Sequence, residues 1–411
     1  MPAERETRIV IVGAGQAGAC AAEALRKAGH RGAIALLGAE SHAPYERPPL
    51  SKAMLTDAEP QAPFMRGEGY WSELDVQLLT GKPVVACDIK ARRVVLQGGD
   101  EILFDKLLFA TGTTPRRLPL IERSGLPTFY VRTLEDSQAL RSVLKPNVRV
   151  ALVGGGVIGL EVAASAIKLG CQVTVIEALD RLLARALPEA VSDYLIGLHE
   201  SHGVKFRLGV SVQSADANGL VLSDGSRVEA DVVVVGIGVA PCNELAKSIG
   251  AGNDDGIPVD AYGATSVADV FATGDVAIQF SRWHGRKLRI ESWANAQNQS
   301  ISVASNMIGE KIEYTTVPWF WSDQYDLNLQ IVGDATGDTI VVRSHGEGRF
   351  TTFSLRDGVL VGAATVNSPK DMSALRKLVA AFAQIAAEDL ENPAFDLRRA
   401  PLRPEAVAAS K

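Results

Sequence analysis

The chain has 411 residues, 46% of them hydrophobic and 22% charged, with 38 glycines and a formal net charge of −6. That length leaves room for two or three domains with cores of their own, and the acidic balance argues against nucleic acid or an anionic membrane as a general partner. No segment approaches the ~18 apolar residues of a membrane span, and the short apolar start is no signal-peptide core, so a cytoplasmic location is the expectation.

Along the chain, the β-branched run Ile9-Val-Ile-Val12 predicts a buried strand that ends in a GxGxxG loop, Gly13, Gly15 and Gly18. An alanine-rich amphipathic stretch follows and stops at Gly29, as a helix with a left-handed cap would. A second strand is expected over 33–37, with the acidic Glu40 behind it. Next come Arg47-Pro-Pro-Leu-Ser-Lys52 and an apolar strand, Leu107-Leu-Phe109, ending in Ala110-Thr111-Gly112. The whole first pattern then recurs. Val150-Ala-Leu-Val153 leads into Gly154, Gly156 and Gly159, a helical stretch stops at Gly170, and a strand over 173–176 delivers Glu177. Val232 to Val239 reads as a further buried strand, and Val270-Phe-Ala272 as one that delivers Asp275.

The chemistry of this repeated unit is specific. The first glycine permits a tight turn, the second lets backbone approach a pyrophosphate, and the third allows close helix–strand packing. An acid about 20 residues on takes the ribose hydroxyls. One such loop is weak evidence, but two complete strand–loop–helix–strand–acid units predict two dinucleotide sites. At the second site, the Glu177 carboxylate would repel a 2′-phosphate and no arginine adjoins it in sequence, so NADH is expected over NADPH.

These segments, together with Glu291-Ser-Trp-Ala-Asn295 and Pro318-Trp-Phe-Trp-Ser322, resemble the putidaredoxin reductase and biphenyl-dioxygenase ferredoxin reductase family from about residue 8 to about residue 400. The resemblance implies an α/β, glutathione-reductase-like two-dinucleotide-binding flavoprotein with a C-terminal α+β domain. Its FAD-binding domain would be discontinuous, 1–112 and 243–318, with an NAD-binding domain at 113–242 and a C-terminal domain at 319–411. The last is expected as an antiparallel sheet with one wet face, including strands over 339–343 and 349–356.

Carried over by position, the FAD contacts implied are Gly13, Gly15, Ala17, Gly18, Glu40, Arg47, Lys52, Val85, Ala110, Thr111, Gly112, Arg132, Asp275 and Trp293. The NADH contacts implied are Gly154, Gly156, Ile158, Gly159, Glu161, Glu177 and Gly238. Lys52 and Glu161 are expected to form an ion pair beside the reacting atoms, and Trp321 is the family's candidate for lying between flavin and partner. The bland reading of Glu161 is a first-turn carboxylate favoured by the helix dipole, worth ~0.3–1 kcal/mol. Two departures stand out: Ala39 where relatives often carry Asp, and Cys242 between Pro241 and Asn243.

The acceptor follows from an absence in the sequence. Cys20, Cys87, Cys171 and Cys242 form no CxxC or CxxxxC pair and residues 38–86 hold no cysteine, so electrons would have no thiol to move on to. Free thiols are expected, and no metal site. An external [2Fe-2S] ferredoxin feeding an oxygenase is implied, steered by Arg282, Arg286, Lys287 and Arg289; an ordinary solvated hairpin is the competing reading of that run. The rival functions are a monodehydroascorbate- or quinone-type reductase and a redox-dependent interaction protein resembling apoptosis-inducing factor.

Overall fold

Ile9–Val12 is buried along its whole length and pairs in parallel with Ile34–Leu37 on one side and Lys106–Phe109 on the other. Val76–Leu79 and Val270–Ala272 complete a five-stranded parallel sheet, in the order 270, 106, 9, 34, 76 by first residue. Central strands of such a sheet are covered on both faces, which is why they read as unbroken apolar runs rather than alternation. On one face lies the helix Gln16–Lys27, whose Ala19, Ala21 and Ala22 let it pack closely with Ala296, Val303 and Ala304 of the helix Trp293–Met307. The other face packs on Val94 and Leu96 of a small antiparallel sheet, on Phe104 just after it, and on Ala246 and Ala251.

The computed structural model describes residues 6–401, and its chain falls into two compact units. The first comprises the chain through Arg47, Ala62–Thr114 and Ala240–Thr316; the second comprises Pro48–Gln61, Pro115–Val239 and the chain from Val317 on. Pro48–Gln61 is tied into the second unit. Leu55 joins the core of Leu140, Val150 and Val162, while Ser137 and Ser165 donate to the carbonyls of Leu50 and Ser51, both at 2.7 Å.

The second unit repeats the parallel plan. Its strands run in the order Lys205–Leu208, Gln172–Glu177, Arg149–Val153, Val232–Val235, Thr128–Phe129. The helix Val157–Lys168 buries Val162, Ala163 and Ala166 against it, and each fully buried valine or leucine here is worth ~1.5–3 kcal/mol. Both repeat helices stop where expected, with Gly29 at φ +88° and Gly170 at φ +80°. The run Val232 to Val239 is a correction: the strand ends at Val235, and Gly236-Ile-Gly238 turns away with Ile237 exposed. Glycine removes the side-chain packing that would have held the strand on course.

Behind this lies a five-stranded antiparallel sheet in the order Trp319–Gln324, Leu327–Gly333, Val359–Val366, Phe350–Arg356, Thr339–Ser344. The expected strands are there, but exposed side chains are confined to the two edge strands, Thr339–Ser344 and, at Asp323, Trp319–Gln324. Phe350–Arg356 and Val359–Val366 are buried on both sides, because Leu195 and Leu187 cover one face and the helix Pro369–Ala380 covers the other. Buried Arg343 satisfies its guanidinium on the carbonyls of Leu390 and Asp389, at 2.6 and 3.0 Å.

Two glycine substitutions with opposite signs test this packing. Gly197 sits exposed within the helix Glu189–Ser201, and an added Cβ meets nothing within 4 Å. Gly197→Ala is expected to stabilise by ~0.5–1 kcal/mol in chemical denaturation. At Gly159 the same methyl would lie 2.3 Å from the Gly154 carbonyl oxygen, so Gly159→Ala is expected to lower the unfolding midpoint sharply.

Candidate functional site

In the first unit the glycine loop is shaped by what passes over it. A Cβ on Gly13, at φ +112°, would sit 2.2 Å from the Ala110 carbonyl oxygen; one on Gly18 would sit 1.9 Å from the Gly13 oxygen. A Cβ on Gly15 would meet nothing within 4 Å. Gly15 is the N-cap of Gln16–Lys27 and no side chain caps that helix, so its first-turn N–H groups have no side-chain acceptor. This is a cradle that fits a pyrophosphate.

The neighbouring signatures converge on the loop. Gly274 packs so close to Ala17 that an added Cβ would lie 2.9 Å away, which brings half-buried Asp275 to the same place. Thr111 donates to the Cys242 carbonyl at 2.5 Å, and Gly112 takes φ +65°. Arg47 pairs with Glu40 at 2.6 Å, and Tyr45 donates its hydroxyl to the same carboxylate. Burial works against the Arg47 charge, but Glu40, Tyr45 and Asp275 outweigh it and hold the guanidinium more firmly protonated than usual. Val85 is the extra residue of a β-bulge and is exposed. Trp293 opens its helix, half-buried, behind the capping hydroxyl of Ser292. Asn243, beside the anomalous Cys242, is buried and donates to the Asn253 carbonyl, so its amide shapes a loop.

The second unit has the same construction. Cβ atoms on Gly154 and Gly159 would lie 2.4 Å from the Gly236 oxygen and 2.3 Å from the Gly154 oxygen, while Gly156 has room. Gly156 caps Val157–Lys168 without a side-chain partner, leaving a second cradle for a pyrophosphate. Glu177 accepts from the backbone N–H of Gly155 at 2.8 Å and of Leu179 at 2.9 Å. Its carboxylate is therefore held at the loop rather than left to solvent. Arg181 is spent elsewhere, donating to Leu187 and Ala184 carbonyls and to Ser192. Ile158 on the first turn is 46% exposed, Gly238 is exposed at φ +95°, and the half-buried Arg132 precedes the capping box of Leu134–Val143.

Glu161 departs from its bland reading. It is buried, and its carboxylate accepts three hydrogen bonds: Ser51 at 2.5 Å on Oε2, and Lys52 at 2.8 Å and Ser322 at 2.7 Å on Oε1. The expected Lys52–Glu161 pair is present, but Ser51 and Ser322 were missed. Both lie inside motifs already singled out, Pro48-Pro-Leu-Ser51 and Trp319-Phe-Trp-Ser322, yet nothing local tells a serine that it will face a carboxylate. Ser322 accepts from Gln324, which meets His199; His199 in turn contacts the Tyr325 hydroxyl. On the opposite face of the same strand Trp321 stacks on Trp319, centroids 5.0 Å apart, and Arg376 lies over the Trp319 ring.

The basic run forms a hairpin, Ala277–Ser281 with Arg286–Arg289. Arg282, Arg286 and Lys287 are exposed, as a solvated hairpin and a steering patch both require. Arg289 drops out of the patch: its side chain is 17% exposed and neutralised by Glu291 at 2.7 Å. All four cysteines are free thiols. No helix among the described residues is long and apolar enough to cross a membrane.

Comparison with known proteins agrees with this geometry. Residues 7–300 match the family described as pyridine nucleotide-disulphide oxidoreductase, and residues 319–401 match the reductase C-terminal family. The chain is 44% identical over 395 residues to the ferredoxin–NAD(+) reductase component of the p-cumate 2,3-dioxygenase system of Pseudomonas putida, covering 95% of this chain and 98% of that protein. It is 44% identical over 397 residues to the corresponding anthranilate 1,2-dioxygenase component of Burkholderia cepacia, with coverage of 95% and 98%. Among solved structures it resembles the reductase in the covalent putidaredoxin reductase–putidaredoxin complex, with a TM-score of 0.92 at 34% identity, over 96% of this chain and 98% of that one.

Lys52→Met would leave a buried carboxylate without its counter-charge. Because Lys52 is a quarter exposed, the expected loss is ~2 kcal/mol in equilibrium unfolding, below that for a fully buried pair. His199 predicts a pH effect. Burial holds its imidazole below the usual ~6.5, so between the two values the unfolded chain binds more protons. Stability is then expected to be full above about pH 6.5 and to fall as pH drops, with a shallower fall in His199→Gln.

Proposed function

Because this chain belongs to the pyridine nucleotide-disulphide oxidoreductase family, with a reductase C-terminal domain following in sequence, we infer that it is an FAD-containing, NADH-dependent ferredoxin reductase. The observation that carries the reading is two uncapped glycine cradles in a chain whose thiols are all free and widely spaced. Reduced nicotinamide delivers a hydride, and no thiol pair follows to receive it. Flavin, when bound, supplies the conversion from a two-electron donor to a one-electron acceptor. The acceptor is a [2Fe-2S] ferredoxin, which passes electrons to an oxygenase; the two relatives above serve dioxygenase systems.

Each residue role below is part of this proposal. The loop Gly13, Gly15, Ala17 and Gly18 holds the FAD pyrophosphate, Glu40 and Arg47 the adenosine side, Val85 the adenine through its backbone, and Asp275 the ribityl chain. Ala110, Thr111 and Gly112 line the same loop, and Trp293 and Arg132 complete the flavin contacts. In the second unit Gly154, Gly156 and Gly159 hold the pyrophosphate of NADH, Glu177 its ribose, and Ile158 and Gly238 its nicotinamide half. Glu161 keeps Lys52 oriented, and the Lys52 ammonium would supply the positive charge that favours a bound, reduced flavin. Trp321 lies toward the partner. The FAD-binding domain is assigned to 1–112 and 243–318, the NAD-binding domain to 113–242 and the C-terminal domain to 319–411. The location is assigned as cytoplasmic.

The test is NADH-driven cytochrome c reduction by the purified yellow protein, with and without a [2Fe-2S] ferredoxin. The expected result is strong dependence on ferredoxin and poor use of NADPH. Equal rates without ferredoxin would instead indicate a diffusible acceptor such as a quinone. Glu177→Ala is expected to raise KM for NADH ~10-fold, the equivalent of one charge-assisted hydrogen bond. Neutralising Arg286 and Lys287 together should flatten the salt dependence of ferredoxin reduction, and an unchanged slope would remove the hairpin from the encounter.

A further inference from the structure

A buried carboxylate dictates the direction of every hydrogen bond behind it. Glu161, beside the Lys52 ammonium, can only accept. The single hydroxyl proton of Ser322 is therefore committed to Glu161 Oε1 at 2.7 Å, and Ser322 Oγ must accept from Gln324, 3.0 Å away. Gln324 thus presents its amide nitrogen to Ser322 and its carbonyl oxygen to His199 Nε2, 2.7 Å away. That oxygen cannot donate, so Nε2 carries a proton. In the neutral ring Nδ1 is then an acceptor, and Tyr325, at 3.2 Å, donates to it. The chain runs in one direction from Tyr325 through His199, Gln324 and Ser322 to Glu161. Its three middle members are buried to 2% exposure or less.

We propose that His199 is a positioning residue for Glu161 and Lys52, acting through Gln324 and Ser322 as a neutral Nε2–H tautomer that fixes where the Ser322 proton points. This rests on the reductase reading for what Lys52 does, but not for the geometry. The amide of Gln324 passes no proton, so the chain orients and does not conduct. His202 stacks on Tyr325 with centroids 3.7 Å apart and is exposed, so the far end of the chain reaches solvent. Without the His199 donor, Gln324 is free to turn and Ser322 to donate to it. Glu161 Oε1 is then left with Lys52 alone, which is drawn inward and away from its work.

The experiment has a spectroscopic arm and a kinetic arm, both on the holoenzyme. Long-range proton–nitrogen spectra of histidine-labelled protein should show His199 as the neutral Nε2–H tautomer between about pH 7 and 8. An Nδ1–H tautomer or an imidazolium in that range overturns the proposal, whatever the enzyme's acceptor proves to be. In stopped-flow reduction by NADH, His199→Leu should lower the limiting rate ~10-fold with KM nearly unchanged, because ground-state binding is untouched. His199→Gln, whose amide can donate from the place of Nε2, should recover most of that loss. Equal rates in the two variants would reduce His199 to a packing residue and overturn the assignment. Should His199→Leu fail to fold, Gln324→Glu decides: its carboxylate accepts only, competes for the Ser322 proton, and should reproduce the rate loss, whereas a wild-type rate overturns the proposal. Failure of wild-type protein to reduce ferredoxin would sink the reductase reading and leave the tautomer result standing by itself.

Discussion

In each dinucleotide fold a backbone carbonyl crosses the first loop glycine so closely that no side chain fits beneath it. Ala110 does this over Gly13, and Gly236 does it over Gly154. That approach is possible only at positive φ without a Cβ. It brings the end of one strand over the start of the helix that leaves another, and so sets where the helix N-terminus points. Thr111, Gly112 and Asp275 reach the first loop through the same close packing, and Ile237 and Gly238 reach the second.

Around Glu161 the constraint is electrostatic. A carboxylate taken out of water must be paired and hydrogen-bonded or it loses its charge. Here it recruits Ser51 and Lys52 from one loop and Ser322 from the C-terminal sheet, and the serine is oriented in turn by Gln324 and His199. The C-terminal sheet thereby joins the hydrogen bonding of the second unit's buried carboxylate, since one face of the strand Trp319–Gln324 donates to Glu161 and the other carries the stacked tryptophans.

The absence of a thiol pair is what turns this architecture outward. The family is named for disulphide chemistry, yet the cysteines of this chain are free and separated, one in a helix, one in a strand and two in loops. A fold fixes where nucleotides lie, and the side chains grafted on it decide the destination of the electrons.

The glycine loops, their helices and caps and the family were legible in the sequence, because each strand–loop–helix pattern is written within about thirty residues, although the carbonyls that press on Gly13 and Gly154 come from distant Ala110 and Gly236. Backbone sterics impose a residue type at each such position, and the pattern repeats. The limits appeared wherever distant segments meet. Gly236 stopped a strand that its apolar neighbours suggested would continue. Thr351, Thr365 and Arg343 are buried on a sheet whose alternation suggested water, because helices far along the chain cover it. Glu291 removed Arg289 from a basic run that looked uniform. Ser51, Glu161 and Ser322 meet only after two long excursions of the chain, and the sequence near each is satisfied equally by a solvent-exposed role. Local sterics are written in residue types, whereas the partner of a buried charge is chosen by which segments the fold brings together, and only the tertiary structure decided that.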